Sequence, residues 1–158
     1  MSSNPKLPLT QNEKAKLRKA KVKISEVHTL STEQLAQMLN IPDERARTVK
    51  GLAEFQTVPS IGYKLAEKLV CRLNIYSLKE IKDKNGADLF DDLEQHLGVW
   101  TDGCVEDQIR CVVNYANDPN SSKQWFDFTN ERKKYREKVG YPEGRPKTAW
   151  YEVVSKVL

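Results

Sequence analysis

The chain has 158 residues, 39% of them hydrophobic and 30% charged, with a formal net charge of +4. This is the composition of a folded, soluble protein rather than a disordered one, and no apolar run approaches the roughly 20 residues that a membrane span needs. The odd count of three cysteines, Cys71, Cys104 and Cys111, with no close pair, and an N-terminus "MSSNPKLPLTQNEK" without an apolar leader core speak against a disulfide framework and for a reducing cytoplasm.

The charge is unevenly spread. Residues 1–24 hold seven Lys or Arg and one Glu, whereas residues 25–158 hold 19 basic and 21 acidic groups. Residues 88–107 contain seven acids (Asp88, Asp91, Asp92, Glu94, Asp102, Glu106, Asp107) and no Lys or Arg. That stretch reads as a solvated acidic face that repels nucleic acid. The basic run "ERKKYREK" near the C-terminus, with Arg132, Lys133, Lys134, Arg136 and Lys138, reads as a solvated helix face, because Glu131 and Glu137 interrupt it.

In chain order, Thr10-Gln-Asn-Glu13 forms a capping-box pattern ahead of "EKAKLRKAK", a helix with almost no apolar face that needs tertiary support. Ser31 with Gln34 caps "LSTEQLAQML", where Leu35, Met38 and Leu39 make a helical stripe. A third helix, "DERARTVKGLAEF", starts near Asp43 and turns Ala46, Val49, Leu52 and Ala53 to one side. After "VPSIGYKLAEKLV", Ser77 caps a short helix through Ile81, and Asn85-Gly86 reads as a turn. Leu89, Phe90, Leu93 and Leu97 then recur at helical spacing up to Gly98. Val105, Ile109, Val112, Val113 and Ala116 mark the clearest core helix. The tail carries a basic helix, a Gly/Pro stretch and a short amphipathic end. No alternating strand of five residues is found, so the expectation is an all-α fold of roughly seven or eight short helices. It is divided into a basic arm (1–24), a helical domain (25–118) and a helical extension (119–158).

Chemistry concentrates in the hairpin of residues 55–73. Gly62 is expected to supply a positive φ, Ile61 to plug the crevice between two helices, and Ala66 to let them approach. The helix starting near Tyr63 offers unsatisfied N–H groups and its dipole to an anion, with Lys64 and Lys68 four residues apart on one face. Val58, Pro59, Ile61, Gly62 and Ala66 resemble the helix-hairpin-helix motif, apolar-Pro-Gly-apolar-Gly, with Ser60 in place of the first glycine. Offset by twenty residues, "NIPDERARTV" lies over "SIGYKLAEKL", a faint sign of a second hairpin over residues 32–53.

The longer stretches "KAKVKISEVHTLSTEQLAQML", "GLAEFQTVPSIGYKLAEKLV", "DGCVEDQIRCVVNYAND" and "ERKKYREKVGYPEGRPKTAWYE" are together similar to the small bacterial pathogenicity locus family of helix-hairpin-helix proteins. The resemblance covers most of the chain. It implies DNA binding, with a mitomycin-resistance label on some members, and no catalytic role.

The expectation is therefore a non-enzymatic, cytoplasmic protein that holds duplex or structured DNA by its phosphates without reading bases. The contacts expected are the backbone around Pro59, Ser60, Ile61, Gly62 and Tyr63, the side chains of Lys64 and Lys68, and Lys19, Lys21 and Lys23 of the arm. No cofactor, metal or membrane is expected. Cys104 reads as an idle thiol, and Trp100, Trp125, Phe126, Phe128, Trp150 and Tyr151 as core or tail anchors. The alternative is a protein-interaction module in which the hairpin only packs and the 88–107 face or the tail helix Thr148–Leu158 meets a partner.

Overall fold

Side-chain caps set where the helices begin. The Glu13 N–H donates to Thr10 Oγ1, and the Thr10 N–H donates to Glu13 Oε1 at 2.8 Å, which starts α1 (Gln11–Lys19). Ser31 and Gln34 make the same reciprocal pair ahead of α2 (Thr32–Leu39). Each such cap satisfies N–H groups that a helix start otherwise leaves without acceptors. The structure, a computed structural model, describes residues 4–157; Met1–Ser3 of the expected arm and Leu158 of the expected tail helix lie outside them. Among the described residues there are nine α-helices, two 3-10 turns, one π turn and no strand, only an isolated bridge between Trp100 and Ala149. No helix among them is long and apolar enough to cross a membrane.

The chain divides into two compact units, Met1–Glu80 and Ile81–Leu158. The first unit contains α1, a 3-10 turn (Ile24–Thr29), α2, α3 (Asp43–Phe55), α4 (Tyr63–Glu67), a π turn (Lys68–Arg72) and most of α5 (Leu78–Ile81). Its core joins Leu17, Val27, Leu35, Leu39, Ala46, Val49 and Ala53. The basic arm is thus part of this unit: α1 contributes Leu17 to the core and buries Glu13 against Arg45, at 2.7 Å. Leu7, Leu9, Val22 and Ile24 of the arm pack against the same core, and the sequence pattern missed these anchors.

Three of these segments stop in the same way. Lys21, Asn40 and Asn74 have φ of 60°, 54° and 55°. The apolar residue after each sends its N–H back along the preceding helix: Val22 to Leu17 O, Ile41 to Ala36 O and Ile75 to Leu69 O. This is the left-handed helix stop, in which the following side chain drops onto the helix it ends. Val22 and Ile41 pack on the core, and Ile75 is buried.

In the second unit, Asn85 caps α6 (Gly86–Leu97) by accepting from the Asp88 N–H. Asn85-Gly86 is therefore a helix start and not the expected turn. The Gly86 Cα faces Arg110 of α7 (Gly103–Asn117) so closely that a Cβ would sit 2.8 Å from its side chain. A 3-10 turn (Trp125–Phe128), α8 (Thr129–Val139) and α9 (Trp150–Val157) complete the unit. Phe90, Leu93, Ile109 and Val112 form its buried apolar centre.

The acidic stretch is not a solvated face. Glu94, Glu106 and Asp107 are all at most 1% exposed. Arg145 holds Glu94 at 2.7 Å, Arg136 holds Glu106 at 2.9 Å and Asp91 at 2.9 Å, and Arg132 holds Asp107 at 2.7 Å. Arg132 and Arg136 correct the solvated-helix expectation in the same way. A buried carboxylate needs paired charge and hydrogen bonds, and the guanidinium forks supply both. Arg136 and Arg145 both pack on the Tyr141 ring, their guanidinium carbons 4.2 and 3.8 Å from its centre. Burial pushes the Asp91 carboxyl up, against the pull of Arg136.

Two outcomes test these ion pairs. The Arg45 guanidinium, ahead of all else, lowers Glu13 to about 2. A depressed carboxylate contributes stability above its ordinary pKa and loses it as the pH falls through the folded value. Glu13→Gln should therefore cost the first unit about 2 kcal/mol at neutral pH. That deficit should narrow between about pH 4.5 and pH 2, as read by hydrogen exchange of α1 and α3 amides. Arg136→Met leaves buried carboxylates without their partner and should cost the second unit about 3–5 kcal/mol, measured by urea unfolding followed through tryptophan fluorescence.

Candidate functional site

The hairpin is built by α3, the connection 56–62 and the helical run 63–72. At the end of α3 the Thr57 and Val58 N–H groups donate to Glu54 O and Phe55 O, and the Ile61 N–H donates to Val58 O at 3.1 Å. These bonds coil the connection, in which Val58 and Ile61 are buried. Ala66 is fully buried on the second helix. Helix α4 runs straight into the π turn, where the Leu73 N–H reaches back five residues to Lys68 O.

α3 holds the far end of this run. A Cβ on Gly51 would sit 2.9 Å from Tyr76 O and 3.1 Å from Val70 Cγ2, so only glycine permits this approach. The Arg47 guanidinium stacks 4.1 Å from the Tyr76 ring centre, and Glu54 Oε2 accepts from the Leu78 N–H. Neither Gly51 nor Arg47 stood out in the sequence. Gly51 lies mid-helix, where no turn signal surrounds it.

The backbone roles at the turn differ from expectation. Gly62 has φ −107° and ψ −170°, ordinary extended backbone, and it is Ser60 that takes the left-handed conformation, at φ 67°. The sharp bend falls one residue before Ile61, because Ile61 must turn inward before the next helix starts. Gly62 is the helix cap, brings no side-chain oxygen, and would have open space around an added Cβ. The first bond of α4 runs from the Ala66 N–H to Gly62 O. The N–H groups of Tyr63, Lys64 and Leu65 precede it and have no acceptor within the helix. The Ile61 N–H, expected to face an anion, is instead committed to Val58 O.

Among the side chains, Pro59 is half-buried, Ser60 and Lys64 are exposed and Lys68 is half-buried. The Tyr63 phenol is pushed up by burial and then by the Glu67 carboxylate. Cys71 and Cys104 are both held as thiols: burial raises each, aided by Glu67 at Cys71 and by Asp102 and Asp107 at Cys104. Of the arm lysines, Lys21 and Lys23 line one groove with Lys14 and Arg18, and Lys19 is exposed outside its walls. None of the hairpin residues lines that groove.

The twenty-residue repeat has a structural counterpart. Asn40 and Ser60 are both left-handed, Pro42 and Gly62 are both extended caps, and Ala46 and Ala66 are both fully buried, as are Val49 and Leu69. The copies differ at the turn, where the Ile41 N–H reaches five residues back to Ala36 and the Ile61 N–H three back to Val58, and in the second helix, which continues as α in the first copy and passes into the π turn in the second.

Against known proteins, a family profile described as "Pathogenicity locus" matches residues 48–134, more than half of the chain. The chain belongs to that family. No curated protein and no solved structure gives a significant match.

Ser60 is the strained residue of the turn, since a left-handed non-glycine residue costs roughly 1–2 kcal/mol. Ser60→Gly should hold or raise the melting temperature, by up to about 1 kcal/mol in stability. Ser60→Val, β-branched at the same φ, should lower it by at least about 1 kcal/mol.

Proposed function

We propose that this member of the pathogenicity locus family binds DNA through the turn 58–64, used as a helix-hairpin-helix that holds backbone phosphates. One observation carries the reading. The unit that contains the hairpin holds 14 Lys and Arg against eight Asp and Glu, a balance of +6, while residues 81–158 hold 12 against 14, a balance of −2. Positive charge on the unit in which α4 starts with N–H groups that have no acceptor within the helix is what a phosphate backbone selects.

A phosphate oxygen placed before α4 accepts from the Tyr63 and Lys64 N–H groups. The absent side chain at Gly62 leaves the approach open, and the helix dipole favours the charge. Lys64 adds a mobile cation, and Lys68 lies one turn further along. Because all of these groups meet the backbone of DNA and none meets a base edge, binding carries little sequence preference. The protein acts as a cytoplasmic binding protein without catalysis. A second reading, a protein-interaction module, draws support from the exposed Trp150, Tyr151 and Val153 of α9. Its acidic version loses support, because Asp91, Glu94, Glu106 and Asp107 are engaged by arginines.

Fluorescence anisotropy of a labelled random duplex, at about 50 and about 200 mM salt, tests the proposal. Wild type should bind with an affinity that falls steeply with salt, and Lys64→Glu should weaken it about tenfold or more. Gly62→Asp separates binding from folding: an aspartate caps a helix better than glycine by a few tenths of a kcal/mol, yet sets a negative charge where the phosphate goes. It should melt no lower than wild type and bind far more weakly. If both variants bind the duplex as wild type does, the hairpin is a packing unit and the interaction reading stands in its place.

A further inference from the structure

The groove at the foot of α1 is open to solvent and has a volume of about 580 Å³. Four of its wall residues are cationic, Lys14, Arg18, Lys21 and Lys23, and none is acidic. Val22 and Ile24 give it an apolar side. Other cations of this unit are committed to the fold: Lys16 Nζ donates to Leu39 O, Lys50 Nζ to His28 O and Leu30 O, and Arg45 to Glu13. Among the described residues, no carboxylate forms an ion pair with the four groove cations.

The helix stop fixes the groove's shape. Lys21 is left-handed, its N–H donates to Arg18 O and the Val22 N–H donates to Leu17 O. The chain therefore reverses at Lys21, and Lys21 and Lys23 line the groove together with Lys14 and Arg18. Cations at a helix C-terminus offset about half a negative charge, which four exceed by a wide margin.

We infer that this groove is a second nucleic-acid site, one that takes a single strand. The inference rests on the reading of the first unit as a DNA-binding surface. Phosphates meet the four cations, and sugar or base faces lie on Val22 and Ile24. A duplex keeps its base faces in its own stack and offers only its phosphate rim, so it cannot use the apolar side. A single strand offers both; sites for single strands combine a cationic groove with faces for the bases, aromatic as a rule and here the partly buried aliphatic Val22 and Ile24.

Full-length protein is titrated with a labelled oligothymidylate and, separately, with the labelled duplex. Arg18→Glu/Lys21→Glu should weaken oligothymidylate binding at least about tenfold and duplex binding several-fold less than that, the loss of general charge alone, whereas Gly62→Asp should weaken duplex binding more than oligothymidylate binding. Lys21→Gly guards against misfolding, because glycine adopts the left-handed conformation without strain. It should melt no lower than wild type and still reduce the slope of log affinity against log salt by roughly 0.7 for the single strand. Oligothymidylate binding that is unchanged in both groove variants would overturn the inference, and duplex binding that still depends on Gly62 would leave the hairpin reading in place. A folded wild type that binds neither probe would overturn both.

Discussion

The first unit depends on one backbone constraint: a helix ended by a left-handed residue whose successor is apolar. Lys21-Val22, Asn40-Ile41 and Asn74-Ile75 each do this, and Ser60-Ile61 uses the same pair in a tighter connection. A left-handed non-glycine residue costs roughly 1–2 kcal/mol. Burying an aliphatic side chain returns a comparable or larger amount, about 1.5–3 kcal/mol when complete. The apolar residue thus determines where the chain reverses, and the reversal determines where the next helix presents its first N–H groups. Both candidate binding surfaces are products of such turns, one after Ser60 and one around Lys21.

The second unit is organised by charge. Three nearly inaccessible carboxylates are each gripped by an arginine from α8 or from the segment that follows it. Removing one partner of such a pair strands the other in a poorly solvated place, so the clusters are far more costly to break than they were to form. They also change what the surface offers. A stretch dense in acids along the chain exposes Asp88, Asp92 and Asp102 and little else of its charge.

The sequence disclosed what is local. The caps at Thr10, Ser31 and Ser77 are patterns spanning three residues, and the structure contains all of them. The apolar stripes of α3 and α6 follow from helical period alone. What it concealed depends on partners far away along the chain. Glu94 pairs with Arg145, 51 positions on, and nothing near either residue distinguishes it from a solvated charge. Gly51 is explained only by the Tyr76 backbone that packs on it. At the turn, composition pointed to glycine as the residue with the unusual φ. The geometry gave that role to Ser60, because the inward side chain of Ile61, rather than the flexibility of Gly62, decides where the bend falls. Lys19, Lys21 and Lys23 looked equivalent as a basic run, and only the stop at Lys21 separates the two that line a groove from the one that does not.

Asn85-Gly86 has a consequence for the ageing of the protein. An asparagine followed by glycine is the pair whose backbone nitrogen most readily attacks the side-chain amide, closing a succinimide that opens to aspartate or isoaspartate. Here the attacking nitrogen sits in the first turn of α6, and Asn85 Oδ1 accepts from the Asp88 N–H at 3.0 Å. Closure requires the start of the helix to open. Aspartate formed there still caps α6, whereas isoaspartate routes an extra carbon through the main chain and does not. The state of residue 85 in old protein is therefore a chemical record of how often the start of α6 has frayed.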